Sequence, residues 1–247
     1  MASSQDGGRD AQQLPPGRHG LSRSFVVQNQ RERILAAVAD VTSAASYAEM
    51  TVADIIVCAG VSRRTFYEHF DNKQDAYLAA YDEAVGRLLE GVRWAYGSRE
   101  TFPGRLRAAL ELFVTVLAAD PAFARMCIVE VTSAGPEALQ RRDATMAEFA
   151  RMIDENARAL LPTEPPSPVV GETVVGGLYE VIYTRILRGE VRFLPSLLPD
   201  LLYAGLLPYV GPDTARAERD RLAAEGVGLD MPGLGSQARP RPARAPR

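Results

Sequence analysis

The 247-residue chain is 47% hydrophobic, 24% charged and 7% aromatic, with a formal net charge of −3. That balance excludes a disordered or collagen-like chain, leaves room for one large or two modest globular domains, and contains no apolar run approaching the ~18 residues of a membrane-spanning helix. It also gives bulk charge no part in nucleic-acid binding, which has to come from the placement of individual side chains.

In chain order, residues 1–24 carry no apolar stretch behind their charges and read as a disordered leader, not a secretion signal, so the protein is expected in the cytoplasm. Residues 28–45 repeat apolar side chains at Ile34, Leu35, Val38, Val41 and Ala45, the stripe of a first helix that ends near residues 46–50. Thr51, with Asp54 three residues on, starts a short second helix that turns Val52, Ile55, Ile56 and Ala59 inward and stops at Gly60. Ser62 caps a third helix over residues 63–70, where Phe66 and Phe70 lie four apart and share one inward face. Asn72, with Asp75 at the capping-box offset, opens a fourth helix over residues 73–96.

Beyond it, residues 102–118, 121–132, 136–160, 168–188 and 197–210 all show helical spacing, most with proline or glycine at the breaks. The fold class is therefore all-α, with a loop over residues 161–168 and a basic, proline-rich unfolded tail over residues 227–247. Cys58 and Cys127 have no second Cys or His at ligand spacing, so they are expected as buried thiols, with no metal site and no cofactor.

The second and third helices, joined through Gly60, form a helix-turn-helix, whose second helix can enter the DNA major groove. With Phe66 and Phe70 inward at 100° per residue, Arg64, Thr65 and Glu68 point furthest from the core and Tyr67 and His69 lie on the flanks. Arg63, Arg64 and Thr65, beginning at the Ser62 cap, are the expected base readers, because arginine donates twice to guanine and threonine offers a hydroxyl or a methyl. Tyr67, His69, the Thr51 hydroxyl and Lys73, the sole lysine, suit phosphate oxygens. Glu68 is repelled by DNA unless it accepts from a cytosine amino group or pairs with Arg64.

The ordered set of residues 28–90, with "TVADI", "AGVS", "TFYEHF" and the lysine-led fourth helix, resembles the DNA-binding domain of the TetR/AcrR family of transcriptional regulators. The resemblance implies an Ω-shaped all-helical homodimer on double-stranded DNA with a palindromic operator, and a divergent C-terminal domain that binds a small ligand and forms the dimer. It carries the family's usual DNA contacts onto Thr51, Arg63, Arg64, Thr65, Tyr67, His69 and Lys73, and implies repression. The expected domains are residues 25–88 for the helix-turn-helix part and 89–226 for the ligand-binding and dimerisation part. Arg18, His19 and Arg23 are either an arm for the adjacent minor groove or plain leader.

In the second domain, Phe113, Phe123, Met126, Cys127, Phe149 and Met152 supply apolar surface that either encloses a pocket for a small apolar ligand or is ordinary core, with Tyr179 and Tyr183 as polar contacts. The last two helices are apolar nearly all round, so Val174, Gly177, Leu178, Val181, Leu201, Leu202 and Leu206 are expected between two protomers. Gly176 and Gly177 there fit close backbone approach or a kink. No membrane partner is expected, and no P-loop, Gly-x-Ser-x-Gly or His-Glu-x-x-His motif points to an enzyme. The alternative is a helical small-molecule-binding or assembly protein that keeps the helix-turn-helix as scaffold only.

Overall fold

The computed structural model describes residues 23–161 and 166–225. The expected leader up to residue 22, Arg18 and His19 of the arm, the middle of the 161–168 loop and the 227–247 tail lie outside the described residues. Among the described residues every regular element is helical: α1 (Arg23–Glu49), α2 (Val52–Ala59), α3 (Arg63–His69), α4 (Lys73–Gly97), α5 (Phe102–Ala119), α6 (Pro121–Ala124), α7 (Pro136–Leu160), α8 (Pro168–Leu187) and α9 (Leu198–Ala224). A π-helical turn, Arg125–Val129, and a 3-10 turn, Glu130–Thr132, follow α6, and a second 3-10 stretch, Val191–Leu197, precedes α9.

Three elements differ from the sequence reading. The single helix expected over residues 121–132 is a short α-helix that widens into the π turn and tightens again. Helix α3 ends at His69, and Phe70 is extended (φ −143°, ψ 139°) while its amide still bonds to the Phe66 carbonyl. Helix α9 bends at Gly211 (φ 78°) instead of ending there, and continues to Ala224. Its added half is mostly charged and buries only Ala215 and Leu222, too thin a stripe to read as a helix from periodicity.

The buried side chains form two cores, and α4 serves both. Ala76, Tyr77, Leu78, Tyr81 and Val85 pack with α1, α2 and α3, whereas Leu88, Val92 and Tyr96 pack with α5, α7, α8 and α9. The expected boundary at residue 88 thus falls inside a continuous helix. The first core is also completed from beyond it, by Met126, Cys127 and Val131.

Leu201, Leu202 and Leu206, expected between protomers, are 4%, 0% and 0% exposed inside the second core of one chain, so this part of the interface reading is corrected. The first half of α9 is largely apolar because α5, α8 and the 3-10 stretch pack against it, with Ala204, Leu207 and Pro208 left exposed. Helix α9 is the one described helix long and apolar enough to cross a membrane. Pro208, Pro212 and the bend at Gly211 interrupt it, and Leu198, Leu201, Leu202, Leu206 and Leu222 face the protein interior, as in a core helix.

Asp154 of α7 is a buried carboxylate that accepts the Tyr209 hydroxyl at 2.8 Å and lies against the first turn of α8. A Cβ on Gly171 would meet its two oxygens at 2.7 and 2.8 Å. Gly171→Ala is therefore expected to destabilise the fold by about 1–3 kcal/mol through overpacking. Thermal denaturation checks this, and an unchanged melting temperature would show that α8 docks without that close approach.

Candidate nucleic-acid interface and ligand cavity

Helices α2 and α3 are shaped by local hydrogen bonds. The Thr51 hydroxyl accepts from the Asp54 amide at 3.3 Å and donates to Asp54 Oδ2 at 2.6 Å, while the Thr51 amide donates to the same carboxylate at 2.9 Å. This reciprocal cap holds the Asp54 carboxyl below its ordinary pKa, chiefly through the hydroxyl. Gly60 closes α2 in the left-handed region (φ 60°), and Arg33 of α1 donates to its carbonyl at 2.8 Å and to that of Ala59. Ser62 Oγ accepts from the Thr65 amide at 3.0 Å and lies 2.8 Å from the Thr65 hydroxyl.

With Phe66 fully buried and Phe70 beneath it, α3 leaves Arg63, Arg64, Tyr67 and Glu68 exposed, and Thr65 and His69 half-buried. Arg64 Nε pairs with Glu68 Oε1 at 2.9 Å, and the Arg63 guanidinium stands 5.6 Å from the Tyr67 ring centre. Glu68 thus takes the partner foreseen for it. Burial, and then the Arg31 charge, lower the His69 pKa, so near neutral pH the imidazole of the free protein is neutral.

Lys73 departs from its expected role. Its ammonium donates to the carbonyls of Met50 (2.9 Å), Tyr47 (3.1 Å) and Ala48 (3.3 Å), and stands 4.8 Å from the Tyr47 ring centre. An ammonium has three donors, and all three close the end of α1, just past the break at Ser46 (φ 74°). Lys73 therefore fixes the junction from α1 into α2, in place of the phosphate contact that the sequence suggested.

The second domain holds a partly open cavity of about 110 Å³ between α4, α5, α7, α8 and the π turn. Five of the pocket residues expected from sequence line it: Phe113, Cys127, Phe149, Met152 and Tyr179. Met126 is instead 1% exposed in the first core, Phe123 packs against both cores, and Tyr183 stacks behind Tyr179 at 6.2 Å without lining the cavity. Leu178, expected between protomers, is part of the wall. The wall of α4 residues from Tyr81 to Tyr96, and Arg142 and Met146 of α7, were missed, because an apolar stripe looks the same whether it faces a neighbouring helix or a void.

Residues 34–80 match the family model described as bacterial regulatory proteins, tetR family. The chain is 30% identical over 112 residues to the HTH-type transcriptional activator FasR of Mycolicibacterium smegmatis, covering 45% of this chain and 51% of that protein. It is 33% identical over 127 residues to the HTH-type transcriptional regulator EthR of the same organism, covering 51% and 54%. It therefore spans about half the length of these two relatives. The structure of the regulator FadR from Bacillus subtilis in complex with stearoyl-CoA superposes with a TM-score of 0.64 at 20% identity, over 73% of this chain and 98% of that one, a likeness of fold. Residues 34–80 thus carry a tetR-type helix-turn-helix segment.

The cavity and the helix-turn-helix core share the π turn. Cys127 and Ile128 line the cavity. The Met126 carbonyl accepts the Tyr77 hydroxyl of α4 at 2.8 Å, and the Ile128 carbonyl accepts the Tyr179 hydroxyl of α8 at 2.6 Å. One residue past the turn, Glu130 is buried, pairs with Arg125 at 2.9 Å and accepts the Tyr47 amide at 2.9 Å. The same stretch of α1 is thus held by Lys73 from one side and by Glu130 from the other.

Replacing Lys73 by methionine keeps the aliphatic stem and strips two part-buried carbonyls, of Tyr47 and Met50, and the exposed carbonyl of Ala48 of their donor. The expected outcome is a loss of about 1–3 kcal/mol of stability, read as a lower midpoint in urea, with the ratio of operator to random-DNA affinity retained at temperatures where the protein is folded. Full stability combined with uniformly weaker DNA binding would return Lys73 to the phosphate role.

Proposed function

We propose that this chain is a sequence-specific, ligand-responsive DNA-binding transcriptional regulator, acting in the cytoplasm as a homodimer on a palindromic operator and released from it when a small apolar ligand fills the cavity. The observation that carries the reading is that one short turn both lines the cavity and holds the end of α1 against the reading head. A ligand that favours another arrangement of that turn has a direct mechanical route to the position of α3. The relatives support it: two are named as HTH-type regulators, and a structural neighbour is titled as a complex with stearoyl-CoA.

On α3, Arg63, Arg64 and Thr65 are the base-reading set, and Tyr67, His69 and the Thr51 hydroxyl meet phosphates. The dimer reading rests on the outer faces of α8 and α9. Val169, Val181 and Leu187 are exposed on α8 and Leu207 on α9, and a Cβ on Gly176 or Gly177 would meet nothing within 4 Å in one chain. Val181 and Gly177 remain from the expected interface residues, with Val174 half-buried behind them. A two-fold arrangement of these faces sets two α3 helices one DNA turn, about 34–36 Å, or another fixed spacing apart.

Two measurements test this. In fluorescence anisotropy with the DNA upstream of its own gene, Arg64→Ala is expected to lose about 1–3 kcal/mol at one operator position and to relax base preference there; equal losses on operator and random DNA would refute base reading. Val181→Glu is expected to sediment as a monomer and to lose operator binding. A dimer of unchanged stability would place the interface elsewhere, and a wild-type chain that ignores its upstream DNA altogether would favour the helix-turn-helix as mere scaffold.

A further inference from the structure

The cavity wall is apolar except at its two ends. Arg142 is the only charged residue among the described residues lining it. Its Nη1 donates to Asp143 at 3.1 Å on the surface side, and its guanidinium stands 4.7 Å from the Tyr179 ring centre. Its Nε is buried and has no hydrogen-bond partner. The Tyr96 hydroxyl, also in the wall, is buried without a partner too. The neighbouring carboxylate of Asp154 accepts the hydroxyl of Tyr209.

These two orphaned donors are far apart. Arg142 lies with Tyr81 and Tyr179, on both of whose phenols its charge acts. Tyr96 is fifteen residues beyond Tyr81 on α4, about 22 Å at 1.5 Å per residue. It sits beside Met152, ten residues, or about 15 Å, beyond Arg142 on α7. Between them the wall offers only side chains such as Val85, Leu88, Leu110 and Phe149. A buried N–H or O–H without an acceptor is unfavourable; Asp143 and the Tyr179 phenol engage part of the Arg142 guanidinium, and its Nε is the edge left without an acceptor.

We propose that the ligand of this cavity is an extended apolar chain ending in a carboxylate that pairs with Arg142, and carrying near its far end a hydroxyl or carbonyl oxygen that accepts the Tyr96 hydrogen bond. The proposal rests on the reading of the cavity as the effector site and adds the chemistry of what it takes. The carboxylate satisfies Arg142 Nε, the chain fills the apolar middle, and the distal oxygen sets the length. Thioester-linked chains lack the anion at the reacting carbon, so their recognition does not depend on Arg142.

The test uses the full-length dimer and the neutral dye Nile red as a cavity probe, displaced by palmitate, methyl palmitate, omega-hydroxypalmitate or palmitoyl-CoA. Palmitate is expected to displace the dye at least about tenfold more effectively than its methyl ester, the gain of one charge-assisted pair. Arg142→Met is expected to abolish that preference while still binding Nile red, and Arg142→Lys to keep part of it. Omega-hydroxypalmitate is expected to bind several-fold tighter than palmitate to the wild type and equally to Tyr96→Phe. Equal displacement by acid and ester, a preference that survives Arg142→Met, or a preference for palmitoyl-CoA that is independent of Arg142 overturns the carboxylate assignment. Equal binding of palmitate and its omega-hydroxy form overturns the Tyr96 assignment. If Nile red itself does not bind to a chain that still binds its operator, the effector cavity falls and this inference with it, an outcome distinct from the others.

Discussion

The turn Arg125–Val129 winds in π-helical geometry, with its Met126 carbonyl held by Tyr77 of α4 and its Ile128 carbonyl held by Tyr179 of α8. Single π turns interrupt α-helices mostly where function needs a side chain displaced. Here the wider turn lets Cys127 and Ile128 face the cavity while Met126 sits in the core behind the helix-turn-helix. The two cores are therefore not independent modules joined by a linker. Helix α4 runs through both, and the first core is incomplete without residues from the second domain.

The reading face itself depends on weak interactions being weak. The Arg64 side chain is 89% exposed while paired with Glu68, and exposed ion pairs of this kind contribute only about 0.2–1 kcal/mol. A bidentate contact to guanine contributes about 1–3 kcal/mol of discrimination. Glu68 keeps the guanidinium extended on the outer face of α3, in a pair weak enough to be exchanged for a base under the proposed function.

How much of this was legible in the sequence follows from the range of the interactions involved. The helix-turn-helix was readable because its determinants lie within four residues of each other: Thr51 with Asp54, Ser62 with Thr65, Gly60 at its stop, Phe66 with Phe70. The role of Lys73 was not readable, because its acceptors at Tyr47, Ala48 and Met50 lie 23 to 26 residues earlier and come within reach only through the break at Ser46. Nor could periodicity separate cavity from core or interface. Leu201, Leu202 and Leu206 make the same pattern as a dimer seam, and Tyr81, Val85 and Leu88 the same pattern as a packed helix. The π turn left no trace in residue spacing, since one extra residue in one turn shifts a stripe too little to notice.

The bonds that shape α2 and α3 are nearly all internal to that pair or come from Arg33, whereas the pair is tied to the rest of the chain through the Tyr47–Met50 stretch, gripped by Lys73 and Glu130. Rigidity and adjustability are thereby assigned to different places. The caps of α2 and α3 do not depend on that junction, so changes at Tyr47–Met50 or at its two clamps shift where the pair stands and leave its own shape intact. Placement and internal shape of the helix pair are thus encoded in different residues.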